Sequence, residues 1–310
     1  MAAGMIAANL RVDATTAEVL RAFDAAGVDS LLVKGPSIAR WLYDNSDPRG
    51  YADCDLLVPP PDLTAAERVL AELGFEPEID RHKMPSWWQE HAVAWLRGRD
   101  GTGVDLHETL PGTGVDPETL WRTLEGHREP LEVGGYSAQT LTKPGRAFML
   151  ALHAAHHGSG WGQFIHDLER GARKVDRETW RAAAELAESL NATAAFASGL
   201  RLVEPGREIA AALELPSEGA VDVALKASTP PPLALGFEQF AQTKGVRARL
   251  AIVRHKLFPP VTFVRRYSRP APTGPLSLFR AYLRRWRWLI VHAPGGFRAW
   301  RSARRGTPPD

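Results

Sequence analysis

The chain has a single cysteine, Cys54, in 310 residues, so no internal disulfide can form and the fold is held by packing alone. It lacks any apolar run approaching the ~18 to 20 residues that would span a bilayer, which excludes an integral helical membrane protein but not one lying on a membrane surface. The amino terminus MAAGMIAANL has neither the basic start nor the cleavage pattern of a secretion signal, so the expected location is cytoplasmic. There is no internal repeat and no long low-complexity segment. Acidic residues are scarce in one region only. Residues 244–310 hold 16 Lys and Arg against 1 Asp, a net of +15, whereas residues 1–243 hold 22 against 35 Asp and Glu, a net of −13. The overall +2 conceals two parts suited to different partners, or to each other.

The length suits about two domains, each with its own core. Residues 15–26 carry apolar residues at helical spacing with Thr as the cap, and Gly27 closes that helix before a strand at 30–33. Gly35-Pro36-Ser37 turns the chain into a second helix ending near Tyr43, and the NSDPRG loop leads to a strand at 52–58 that stops at three prolines. Asp62 then caps a helix through Leu73. Further strands are expected around Val93, at 103–109 and in LEVGGYSAQTL. After Pro144 the strand signals cease, and residues 144–227 read as Ala-rich helices. The fold class is therefore α+β followed by a helical part, divided as 1–143, 144–243 and 244–310.

The stretch from Leu31 to Val58 ends in Asp53 and Asp55, alternating with apolar residues, and alternation on a strand puts both carboxylates on one face. Asp105 sits in a second short apolar run, GVDL, and a neighbouring strand could bring it alongside. Three carboxylates on one edge form a Mg²⁺ site of the kind that handles nucleoside phosphates. A solvated strand end is the bland alternative, but it leaves half-buried acids without partners. Arg49, four residues before the strand, could grip a phosphate bidentately. His107 shares the face of Asp105 and could orient it, or could be a structural histidine of the sheet. His153, His156 and His157 invite a zinc reading, but no fourth ligand accompanies them. His153 is better read as packing against the sheet domain, with Asp167 as partner for an imidazole or for Arg49. Trp87, Trp88 and Trp95 read as core or cleft walls.

The order of these pieces resembles a family. KGPSIA at Lys34 to Ala39, then LY, then R-x-x-x-D-x-D-L-L-V at Arg49 to Val58, GF at 74–75 and VDLH at 104–107 are similar to the DNA polymerase beta superfamily. More narrowly they resemble its bacterial uncharacterised nucleotidyltransferases, with LHAAHH at 152–157 and HDL at 166–168 extending the likeness over about residues 15–240. The resemblance implies a polymerase-beta-like mixed sheet followed by a helical domain. It implies an NTP donor and two Mg²⁺ ions, with Mn²⁺ as a substitute, on Asp53, Asp55 and Asp105. Asp105 would activate an acceptor hydroxyl, and Gly35 would let backbone N–H groups approach the triphosphate, with Ser37 and Lys34 as further phosphate contacts. The acceptor, a small molecule, peptide or protein, is left unidentified. The Gly-Pro-Ser turn and longer spacing to the aspartates depart from the broad superfamily. Glycosyl transfer from a nucleotide sugar on the same metal site, and a non-catalytic membrane-surface or partner-binding module, stay as alternatives.

In the basic segment, Leu276, Phe279, Leu283, Trp286 and Ile290 follow helical spacing with Arg280, Arg284 and Arg287 on the other side. Three readings follow: packing on the acidic body, contact with an anionic membrane at the inner face, and contact with nucleic acid, the last least favoured. The terminal FRAWRSARRGTPPD is expected to be disordered.

Overall fold

A computed structural model describes residues 2–305 except 45, 80, 82–90, 159, 161, 218–220, 222–224, 226–230 and 269. Trp87, Trp88 and the last five residues lie outside the described residues. The chain forms two compact units, Met1–Ser217 and Glu218–Asp310. The division falls at 217, so the helices between residues 143 and 212 belong to the same compact unit as the sheet.

The first unit opens with α1 (Ala2–Ala25), a longer helix than the Thr-capped one expected at 15–26. Thr16 does not cap; its hydroxyl donates back to the Val12 carbonyl at 2.8 Å, and the helix runs through it. There follow β1 (Leu31–Leu32), α2 (Pro36–Leu42), β2 (Asp53–Leu57), a 3₁₀ turn (Pro60–Asp62) and α3 (Leu63–Glu72). Asp62 precedes α3 without capping it and instead accepts the Asp29 N–H at 2.9 Å. Next come β3 (Glu76–Pro77), β4 (Ala92–Arg97), β5 (Thr102–His107) and α4 (Pro117–Glu125), the last capped by Asp116, whose carboxylate accepts the Thr119 N–H. β6 (Arg128–Val133) and β7 (Tyr136–Leu141) form a hairpin. Gly134 and Gly135, both at positive φ (57° and 72°), make its two-residue turn. A Cβ on Gly134 would lie 2.4 Å from the Asp13 carbonyl oxygen of α1, so only glycine lets the hairpin close there. Five helices complete the unit: α5 (Lys143–His157), α6 (Gly162–Lys174), α7 (Arg177–Ser189), α8 (Thr193–Leu200) and α9 (Glu204–Ala212).

The seven strands form one mixed sheet in the order β3-β4-β5-β2-β1-β7-β6, confirming the α+β expectation. β2 and β5 run parallel, with Cys54 opposite Val104, Asp55 opposite Asp105 and Leu57 opposite His107. Cys54, Leu56, Val104, Leu106 and Trp95 point into a core shared with Phe23 of α1 and Leu70 of α3. A one-residue slip would swap this apolar set for the acidic one, so burial of the first face fixes the position of the second.

The second unit contains α10 (Ala234–Gln242), α11 (Val246–Leu257), α12 (Val261–Tyr267) and α13 (Pro275–Arg304). The expected disorder from Phe297 is corrected: α13 is helical through Arg304. The Trp300 indole N–H donates to buried Glu238 at 2.6 Å, Arg304 pairs with the same carboxylate at 3.2 Å, and Phe297 stacks edgewise on Phe237.

Candidate active site

Alternation along β2 and its parallel register with β5 place Asp53, Asp55, Asp105 and His107 on the sheet face opposite the core. Asp55 lies deepest, 4% exposed. It accepts from Lys34 Nζ at 2.5 Å and lies 3.1 Å from His107 Nε2. Burial alone would raise its pKa, but the Lys34 charge and the His107 hydrogen bond hold it below the ordinary carboxylate range. Among the described residues Asp105 has no such hydrogen-bond or ion-pair partner. Burial, then the charges of Asp55 and Asp53, push its carboxyl up to about 7. Asp53, half-buried at the start of β2, is raised by the same causes, burial before Asp55. His107 is fully buried, and that burial lowers its pKa, favouring the neutral ring.

Asp55, Asp105 and His107 each bring a ligand atom within 4.8 Å of the others, the set among the described residues suited to hold a cation. Two carboxylates and an imidazole make a donor set that could hold a metal ion. The three α5 histidines belong to no such set, which leaves the zinc reading without support among the described residues. Lys34 supplies the positive charge here. Burial would lower its pKa, yet pairing with Asp55 raises it, so the ammonium is retained as the counter-ion of the acidic face. A cation held by Asp55 would compete with it for that carboxylate. Lys34→Gln is therefore expected to bind Mn²⁺ about tenfold more tightly than the unaltered chain when no nucleotide is present, read by electron paramagnetic resonance of free Mn²⁺. Equal affinity would show that the ammonium does not compete.

Gly35 sits at φ 58° and ψ −113°, and a Cβ there would meet the Asp53 carbonyl oxygen at 3.3 Å, so glycine is what lets this turn lie against β2. The expected phosphate cradle is corrected in part. Pro36 has no N–H, and the Ser37 N–H is taken by the Lys34 carbonyl at 3.3 Å. The Ser37 side chain is wholly buried and its hydroxyl is hydrogen-bonded to that of Thr140 at 2.7 Å, so it faces the sheet rather than a ligand.

Arg49 does not present its fork to a phosphate. Its Nε lies 2.9 Å from both oxygens of Asp167 and a terminal nitrogen 2.7 Å from one, a buried bidentate pair. The loop carrying it is fixed by Asn9 of α1, whose amide donates to the Arg49 carbonyl at 2.8 Å and accepts from the Tyr51 N–H at 3.1 Å. Asp167 also accepts from the Tyr43 hydroxyl at 2.6 Å and from Gln163 at 3.0 Å. Burial first, then Asp167, raises the Tyr43 phenol, so it donates and stays neutral. One turn on, Arg170 and Lys174 both donate to the Leu42 carbonyl at 2.9 Å. Tyr43, Gln163, Arg170 and Lys174 were not expected here. The signal was the polar repeat at 163, 167, 170 and 174, which is one helical face.

Lys34, Arg49, His153 and Asp167 line a narrow crevice with Ile38 and Phe164. His153 packs on the Phe164 ring at 4.0 Å between centroids, and burial, then Lys34, lowers its pKa far below that of a free imidazole. A row of imidazoles adjoins the site. His107 is followed by His91 at 5.6 Å, His156 at 4.6 Å from His91, His157 at 4.8 Å from His156, and His153 at 4.6 Å from His157. His91 had not been singled out by the sequence.

No curated protein matches the chain. Two solved structures are similar in part. The antibiotic-resistance factor ANT(2'')-Ia is 14% identical over 55% of this chain and 88% of its own, with a TM-score of 0.40. An antigenic nucleotidyltransferase-like protein from Paracoccidioides brasiliensis is 16% identical over 59% of this chain and 93% of its own, with a TM-score of 0.35. Likeness this loose carries no weight for function. The family described as uncharacterised nucleotidyltransferase, by contrast, matches residues 2–205, a stretch that contains every site residue above. The chain belongs to the uncharacterised nucleotidyltransferase family.

Proposed function

We propose that the chain moves a nucleoside monophosphate from a nucleoside triphosphate to a hydroxyl of an acceptor, with release of pyrophosphate, in a reaction that depends on divalent cations. The observation that carries this reading is the parallel register setting Asp55 beside Asp105, with Asp53 two residues before Asp55 on the same face. Asp53, Asp55 and Asp105 would hold two Mg²⁺ ions, or Mn²⁺ in their place. When bound, these supply charge neutralisation at the triphosphate and polarisation of the α-phosphoryl group.

The remaining roles belong to the chain itself. His107 fixes Asp55 in one rotamer by their 3.1 Å contact and, being neutral, adds no competing charge. Lys34 balances Asp55 in the resting protein, and its ammonium is within reach of an incoming phosphate once it leaves that carboxylate. Asp105 takes the acceptor's proton, and its position opposite Asp55 on the same sheet face supports that role. The acceptor oxygen forms a bond to the α-phosphorus, the α–β bridging bond breaks, and the proton passes to Asp105. Arg49 and Asp167 act at one remove: their pair holds the loop that feeds β2.

The acceptor is a small molecule, peptide or protein. Purified protein with Mg²⁺ or Mn²⁺, α-labelled NTPs, nucleotide sugars and a cell extract tests the reading directly. Label is expected on an acceptor together with pyrophosphate, and Asp53→Asn is expected to lower that transfer by about 10²-fold or more. Nucleoside diphosphate released from a sugar donor would instead establish glycosyl transfer. Silence on every donor would leave a binding module.

A further inference from the structure

The second unit carries a surface the proposed transfer reaction does not use. On α13 the inner face is committed: Tyr282 donates to the Pro259 carbonyl at 2.6 Å, Arg285 to that of Lys256 at 2.9 Å and the Trp286 indole to that of Leu257 at 2.8 Å. Trp286 is thereby turned inward. Leu276, Phe279, Leu283 and Ile290, the rest of the same apolar series, face outward, Ile290 at 74% exposure. On α11, Val246, Leu250, Val253 and Leu257 form a second exposed stripe at spacings of four, three and four. Exposed arginines flank both stripes: Arg280, Arg284 and Arg287 on α13, and Arg247, Arg249 and Arg254 on α11. Between α10, α11 and α13 lies an apolar groove of about 500 Å³, walled by Phe237, Phe240, Ile252, Leu289 and Phe297.

Three occupants can be compared on chemistry. A second copy would bring one net +15 segment against another, which like charge opposes. Nucleic acid would satisfy the arginines but would leave Leu, Val and Ile stripes in water, since bases stack on aromatic faces rather than on aliphatic rows. An anionic phospholipid bilayer meets all three features together: phosphate headgroups for the arginines, the acyl boundary for the stripes, and an acyl chain for the groove. No helix among the described residues is long and apolar enough to cross a membrane.

We propose that the segment from Ala234 to Arg304 docks on the surface of an anionic phospholipid bilayer through the outward stripes of α11 and α13. The inference stands on the second unit alone and does not require the nucleotidyl-transfer reading. The test is sedimentation of the full chain with phosphatidylcholine vesicles, with and without phosphatidylglycerol. Binding to the mixed vesicles is expected to exceed that to phosphatidylcholine by about tenfold and to weaken with salt. Leu283→Ser/Ile290→Ser alters only exposed positions, and is expected to lose about tenfold in vesicle binding with an unchanged melting curve. Failure to sediment with anionic vesicles would overturn the proposal. So would equal binding by the double variant, a stable dimer that the double variant abolishes, or displacement from vesicles by single-stranded RNA that the double variant binds unchanged.

Discussion

Asp105→Asn is expected to reduce nucleotidyl transfer by about 10³-fold while making the metal-free protein more stable above neutral pH. The second effect has an electrostatic origin. In the folded chain the Asp105 carboxyl is raised to about 7, first by burial and then by the charges of Asp55 and Asp53. A folded-state pKa above the unfolded one contributes stability that is complete below the ordinary carboxylate range and is lost as pH rises through about 7. The unaltered, metal-free chain should therefore melt lower at about pH 8 than at about pH 5.5, and the Asn variant, which cannot ionise, should lack that part of the slope. Added Mn²⁺ should restore the melting temperature of the unaltered chain at the higher pH and raise that of the variant far less, because the third carboxylate is missing. Thermal melts at both pH values, with and without Mn²⁺, read all of this. A variant that melts lower than the unaltered chain at about pH 8 would contradict the electrostatic account.

Asp167→Ala is expected to cost about 3–5 kcal/mol, because it leaves the buried guanidinium of Arg49 with no counter-charge. For a unit of this size that is a fall of roughly 10 °C in melting temperature. The loss spreads beyond one pair. The Tyr43 hydroxyl and the Gln163 amide donate to the same carboxylate, so the end of α2 and the loop before β2 come free together. Replacing both charges, Arg49→Met with Asp167→Leu, should recover the part of the loss that comes from the unpaired guanidinium, while the Tyr43 and Gln163 donors stay without their acceptor. A single Asp167→Ala variant that melts normally but needs far more NTP would show instead that Arg49 is held ready for phosphate.

The aspartates were legible because two signals coincide in one short run: apolar alternation fixes the face, and acids interrupt it where a core residue would otherwise stand. β2 and β5 supply both, and the register follows from burying Cys54 and Val104 on the far side. Long-range polar partners were legible only in outline. Asp167 was named as one partner for Arg49, but a guanidinium looks the same in sequence whether it awaits a phosphate or is already matched 118 residues away. Ser37 misled for a related reason. A serine at a turn beside a glycine is the pattern of a phosphate loop, and its burial against Thr140 depends on β7, far along the chain. Thr15 and Thr16 looked like caps because capping and back-bonding threonines share the same neighbours; burial of both inside α1 decided between them. On α13 the spacing correctly gave a helix, yet spacing cannot say which way an apolar stripe faces. The donors of Tyr282, Arg285 and Trp286 to three carbonyls turned the helix the other way.

The helix α6 reaches back to grip α2 and the loop before β2 at three positions along one face, Asp167, Arg170 and Lys174. Its consequence concerns separability. A fragment ending at residue 143 would contain every aspartate of the sheet but would strand Arg49 without Asp167 and leave the Leu42 carbonyl without its two donors. The sheet and the helices that follow it are thus a single indivisible module, and a shortened enzyme that keeps its chemistry is to be sought by cutting after Ser217.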